Sequence, residues 1–153
     1  MLALAGWLIF TFGFLITRNS GQEMFPAMKD GDLCVIFRRE TATLLGEKYQ
    51  KDDIIAYRTE GKIRFGRVAA VGGDEVKISE SGGLTVNGVG QGGEILFPTY
   101  PRENAEYPQT IPEDSLYVLG DHRTDAVDSR DLGPIAMEDV VGKVISILRR
   151  RGL

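Results

Sequence analysis

The chain opens on an unbroken apolar run. Residues 1–17 carry no charge and end at Arg18; as a helix rising about 1.5 Å per residue they span roughly 25 Å, the lower limit for crossing a bilayer. No basic stretch precedes the run and no small-x-small cleavage site closes it before Arg18. The pattern therefore predicts a retained transmembrane anchor over 1–17 rather than a cleaved signal peptide or a buried core helix. The one nearby cation lies on its C-terminal side, so charge by itself does not orient it.

After residue 17 the periodicity changes. Short runs rich in β-branched residues, bounded by Gly, Asp, Asn or Pro, predict strands over 32–37, 53–57, 62–65, 67–71, 75–78, 84–86, 115–119 and 140–147. Asp30-Gly31, Glu60-Gly61, Gly72-Gly73-Asp74, Ser81-Gly82-Gly83 and Asn87-Gly88 fall between these runs, where hairpin turns need positive φ. Glycine-rich turns at this spacing favour a sandwich or barrel over βαβ units. Helix is confined to the anchor and to 41–49. The stretch 88–112, dense in Gly and Pro, reads as an irregular surface excursion between core strands. Two regions follow: the anchor, 1–17, and a mainly β body, 18–153.

Composition narrows the function classes. The whole chain is 42% hydrophobic and 26% charged, with apolar residues scattered through the later segment, so the body can bury a core and is not a disordered tail. A net charge of -4 and a pI near 5.1, with no basic aromatic run, exclude nucleic acid as an expected partner. Cys34 and His122 stand alone of their kinds, so neither a disulfide, a zinc site nor another metal centre is expected, and nothing calls for a cofactor.

Three segments carry the chemistry. Gly21-Gln22-Glu23-Met24-Phe25-Pro26, followed by Gly31-Asp32-Leu33-Cys34-Val35, resembles the opening motif of the type I signal peptidases, Gly-x-Ser-Met-x-Pro and then Gly-Asp-x-Val. The segment Arg67-Val68-Ala69-Ala70-Val71-Gly72-Gly73-Asp74 is similar to that family's Lys-Arg-Val-Val-Gly-x-Pro-Gly-Asp. Gly120-Asp121-His122-Arg123, with Ala126, Asp128-Ser129-Arg130 and Gly133, is similar to its Gly-Asp-Asn-Arg-x-x-Ser-x-Asp-Ser-Arg-x-x-Gly. Order and spacing both fit, over nearly the whole chain. The resemblance implies a curved, mainly antiparallel β domain coiled into a partly open barrel, one N-terminal transmembrane helix, and a body outside the cytoplasmic membrane.

The resemblance also implies a mechanism that this sequence does not supply. In the family a serine hydroxyl is activated by a lysine, which serves as a base only where burial lowers its pKa. The serine position is here Glu23, the lysine position Gly66, and the serine that supports the lysine is Ala126; His122 replaces the usual asparagine. Met24, Pro26, Arg67 and Asp128 hold the register, and Ser20 lies three residues before Glu23, beyond a one-residue slip. The other candidate nucleophiles and bases, Lys29, Lys62, His122 and Cys34, do not align with the catalytic positions, and sequence does not place Glu23 beside Asp125 or Asp128 as an acid pair.

The expectation is therefore a scaffold kept and a chemistry lost. Gly31, Asp32, Arg67, Gly73, Asp74, Gly120, Asp121, Arg123, Asp128, Ser129, Arg130 and Gly133 match the family's structural positions, with a carboxylate–guanidinium pair expected to brace the site. Glu23, Met24, Phe25 and Pro26 form the expected edge of a peptide-binding cleft, in which Glu23 either attracts a basic ligand group or is neutralised by an arginine such as Arg67 or Arg130. The resemblance implies a membrane-anchored, chaperone-like pseudoenzyme that binds a secreted protein or peptide. Serine- and lysine-less relatives in Gram-positive bacteria make a pilin subunit and a pilus sortase the candidate partners. The alternatives are an active signal peptidase removing signal peptides from exported preproteins, and a structural ectodomain that uses 88–112 as its contact surface.

Overall fold

Two-residue turns set the registers. The computed structural model describes residues 11–92, 97–103 and 105–149. Glu60 and Gly61 both take positive φ, 51° and 74°, and join β3 (Ile54–Thr59) to β4 (Lys62–Val71) with Thr59 opposite Lys62. Asn87 and Gly88 do the same, at 50° and 77°, between β6 (Leu84–Val86) and β7 (Val89–Gly90). Paired positive φ makes a turn whose twist matches that of its strands, which is why Glu-Gly and Asn-Gly stand there.

The remaining strands are β1 (Phe14–Arg18), β2 (Leu33–Arg38), β5 (Glu75–Ile78), β8 (Gln109–Thr110), β9 (Ser115–Leu119), β10 (Ile135–Ala136) and β11 (Val140–Leu148). All described pairings are antiparallel. A seven-stranded sheet runs β1-β2-β11-β3-β4-β9-β10, and a four-stranded one runs β7-β6-β5-β8. The larger sheet ends at β1 and β10, so the expected barrel is an open pair of sheets among the described residues. Among the described residues, two short α-helices, α1 (Arg39–Leu44) and α2 (Ser129–Leu132), and a 3-10 turn at Met137–Asp139 lie between the strands. The helix expected over 41–49 stops early because Gly46 turns to a φ of 75°.

Residues 62–65 and 67–71 are one strand, not two. Gly66 does not break it, because the absent side chain leaves room for Val118: a Cβ on Gly66 would lie 2.4 Å from Val118 Cγ1. The excursion over 88–112 is only partly a surface feature. Thr99 and Ile111 are buried, and the Tyr107 and Tyr117 hydroxyls hydrogen-bond at 2.6 Å, so this segment closes a core cluster built from Ala70, Val76, Leu84 and Leu119.

The C-terminal bound of the expected anchor helix needs correction. Residues 1–10 lie outside the described residues and 11–13 are helical, but 14–17 belong to β1. Phe14 and Ile16 stand opposite Phe37 and Val35 of β2, while Leu15 packs on the cluster of Cys34 and Ile36. An apolar run satisfies strand and helix alike, and here β2 offers an edge to pair with. No helix among the described residues is long and apolar enough to cross a membrane.

Candidate functional site

Glu23 sits in the loop between β1 and β2. That loop is closed at its base by Asn19 N–H donating to Asp32 O (2.8 Å) and Gly31 N–H donating to Asn19 O (2.9 Å). The Asp32 carboxylate accepts from Lys29 N–H at 2.9 Å, which with Arg149 holds it below the usual carboxylate range. Met24 and Met28 plug the loop into the core beside Cys34, Ala56 and Phe65. Glu23 O accepts from His122 N–H at 2.9 Å, tying the first motif to the third.

The carboxylate of Glu23 meets Arg64, not Arg67 or Arg130. Arg64 Nη1 donates to Glu23 Oε1 at 2.5 Å, and both side chains are about three-quarters buried or more. Arg64 is reached because side chains on a strand alternate: Lys62, Arg64 and Gly66 share one face of β4. Burial pushes the Glu23 carboxyl above the ordinary carboxylate value, and Asp128 adds to the rise; Arg64 and the Val127 backbone N–H pull it back without cancelling it. Arg67 instead forms a two-pronged pair with Asp121 at 2.8 and 2.7 Å, and Arg130 one with Asp128 at 2.9 and 2.8 Å.

The Asp128–Arg130 pair is the floor of the site, each side chain 1% exposed. Asp128 also accepts from Gly120 N–H at 3.0 Å and caps α2, while Arg130 donates to Arg123 O and Tyr100 O. Arg123 donates to Gly120 O and Thr99 Oγ1, and Ser129 Oγ accepts from Val118 N–H. Buried charges of this kind are tolerated because nearly every donor and lone pair is used. Gly120 is required here: a Cβ would fall 2.2 Å from Ala126 Cβ and 2.8 Å from Glu23 O.

Beside this floor lies a cleft of about 350 Å³ lined by Ser20, Glu23, Met24, Lys62, Ile63 and Arg64, among others. Of the expected edge, Glu23 and Met24 line the cleft although Met24 is buried, whereas Phe25 and Pro26 are exposed outside it. Phe25 and Phe97 flank the His122 ring at centroid distances of 6.2 and 4.4 Å. On β4, residues 62–66 pair with β3 on one side only, since β9 begins its pairing at Arg67. Alternate backbone groups of that open edge are unpaired among the described bonds.

The positions that the resemblance assigns to nucleophile and base hold an ion-paired carboxylate and a glycine packed beneath Val118. Tyr57 lies next to Gly66, fully buried, with a hydroxyl that has no hydrogen-bond partner among the described residues and is pushed upward by burial. Sequence reasoning missed Arg64 and Tyr57, and it set Lys62 aside as out of register with the catalytic positions. For Arg64 and Lys62, the alternation along β4 was the available signal. Among the described residues, no group of three His, Cys, Asp or Glu side chains is placed to hold a metal ion.

The family model for "Signal peptidase, peptidase S26" matches residues 1–148. The chain belongs to this signal peptidase family. Among relatives, it is 26% identical over 136 residues to thylakoidal processing peptidase 1 of Arabidopsis thaliana, covering 80% of this chain and 38% of that one. It is 28% identical to signal peptidase I T of Bacillus subtilis, covering 80% and 67%. A crystal structure of a signal peptidase I from Enterococcus faecalis V583 superposes with a TM-score of 0.51 at 28% identity, covering 65% of this chain and 98% of that one. The chain spans under two-fifths of the length of the thylakoidal relative.

Proposed function

We propose that this signal peptidase homologue is catalytically silent and binds an extended segment of a secreted protein in the cleft beside Glu23, acting as a chaperone-like assembly factor. The observation that carries this is the Glu23–Arg64 ion pair standing where a serine nucleophile would have to be free. A carboxylate engaged with a guanidinium supplies no hydroxyl to be activated for acylation, and Gly66 offers no amine. The open edge of β4 at 62–66 supports binding by strand addition, in which backbone hydrogen bonds supply affinity. A pilin subunit and a pilus sortase are the proposed partners, on family resemblance.

Placement at the cytoplasmic membrane, with the body on the outer side, belongs to the same proposal. It is supported by the uncharged run 1–17 and by the exposed apolar side chains Ile16, Leu33 and Leu148, which are cross-strand neighbours on one face of the larger sheet. Hydrogen exchange of the full chain with a synthetic signal peptide extended by mature residues tests the binding. Amides of 62–66 gain protection if the peptide adds as a strand; unchanged exchange there contradicts the proposal.

One observation favours an active peptidase instead: Ser20 and Lys62 line the same cleft. Lys62 is exposed, however, at the mouth of the cleft rather than buried in an apolar setting. Cleavage of the peptide that disappears in Ser20→Ala and in Lys62→Met would establish that second reading.

A further inference from the structure

The cleft's charge is opposite in sign to what Glu23 by itself implies. Its lining carries one carboxylate, Glu23, and two cations, Lys62 and Arg64. The two cations stand at alternate positions of β4, on one face and roughly 7 Å apart along the strand. Glu23 is already engaged by Arg64 Nη1, so it has little attraction left for a basic ligand. Arg64 is not used up in return: among the described residues its Nε is buried without a hydrogen-bond partner, and its Nη2 meets no carboxylate nearer than Glu60 at 3.9 Å. Glu60 is 71% exposed, at a turn, where water screens it. Lys62 has no ion pair among the described residues and is exposed at the mouth. A guanidinium with one carboxylate and a spare donor can accept a second, since its fork carries five N–H groups.

We propose that the cleft selects a peptide segment bearing a carboxylate, either an Asp or Glu side chain or a free C-terminus, held jointly by Lys62 and Arg64. This rests on the peptide-binding proposal above and names the ligand chemistry of the same cleft. An extended ligand lying along the open edge of 62–66 places its own alternate side chains over the same face as Lys62 and Arg64, so a carboxylate in register meets both cations. Glu23 then acts as an internal competitor. It holds Arg64 in place in the empty cleft and sets how much of the guanidinium's charge a ligand receives.

The test uses the full chain in detergent and four peptides of alternating threonine and alanine, three of them capped at both ends. One carries a central glutamate, one a central glutamine, one a central lysine, and one glutamine with the C-terminus left free. The glutamate peptide, the free-carboxylate peptide, or both bind about tenfold more tightly than the capped glutamine peptide, and the lysine peptide binds more weakly than it. Which of the two gains names the source of the carboxylate. Lys62→Gln and Arg64→Gln each reduce that preference, whereas Glu23→Gln, which releases Arg64, increases it. Melting of each variant is followed alongside, and Lys62→Gln, at an exposed site, keeps the test readable if Arg64→Gln fails to fold. Equal binding of glutamate, free-carboxylate and glutamine peptides overturns the charge selection while leaving peptide binding intact. Preference for lysine overturns it outright, and no binding by any peptide overturns both proposals.

Discussion

A methyl group at residue 66 probes how the base position has been closed. In Gly66→Ala the new Cβ lies 2.4 Å from Val118 Cγ1, 3.4 Å from Leu119 O and 3.5 Å from Tyr57 Cε1. Only the first contact is untenable. Val118 is fully buried and β-branched, so its χ1 has little freedom to swing aside. Overpacking of this kind costs about 1–3 kcal/mol, and replacing a strand glycine returns roughly 0.5–1 kcal/mol. The net expectation is a loss of about 1–2 kcal/mol. Val118→Ala on its own loses about 2 kcal/mol of burial. Together the two changes fit, because the methyl added at position 66 takes the space that Val118 leaves, so the double variant is more stable than the sum by about 1–2 kcal/mol. Urea unfolding of the full chain, followed by circular dichroism with slopes compared among variants, measures all four corners. A neutral Gly66→Ala, or additivity within about 0.5 kcal/mol, refutes the packing. The same Cβ is present in Gly66→Lys, so a rebuilt dyad folds well only with Val118 reduced.

Three further outcomes are expected. Arg130→Met leaves Asp128 as a buried unpaired charge and lowers stability by about 3–5 kcal/mol, read by the same urea titration; a loss under about 1 kcal/mol contradicts the floor described above. Glu23 binds its proton more tightly in the folded chain than its ordinary value of 4.5 allows, so from that pH up to its raised native value it makes stability fall as pH rises. Glu23→Gln therefore flattens the melting-temperature profile in that window, and an unchanged slope contradicts the burial of the carboxyl. Cys34 is buried with its thiol pushed up to about 11, so alkylation at pH 8 proceeds only in step with unfolding, and rapid labelling of the native chain contradicts its placement.

Much of the fold could be read from local chemistry. β-Branched runs located β2, β3, β5, β6, β9 and β11, and the positive φ at Glu60, Gly61, Asn87 and Gly88 falls where turn residues stand. What escaped was set by tertiary pairing. β1 was hidden in an apolar run because hydropathy is blind to an edge strand's partner, and β4 looked interrupted at Gly66 because the side chain that fills the gap belongs to Val118, distant in sequence. The excursion over 88–112 hid Thr99 and Ile111 because burial there comes from Arg123 and the second sheet rather than from periodicity. At the site, the expected departures at Glu23, Gly66 and Ala126 come from the motifs alone. Arg64 was not singled out, since an ion pair across forty-one residues has no sequence spacing, and only the shared face of Lys62, Arg64 and Gly66 pointed to it.

Peptide-bond cleavage by the natural chain bears most directly on catalytic silence. The purified full chain is incubated with a signal-peptide-bearing preprotein, beside a Glu23→Ser, Gly66→Lys, Ala126→Ser variant carrying Val118→Ala. No product from the natural chain is expected, whether or not the rebuilt variant gains activity. Specific product from the natural chain that survives in Glu23→Ala would reveal a nucleophile elsewhere, with Ser20 the first to replace; product lost in that control would make Glu23 itself a participant, and either result contradicts a silent site.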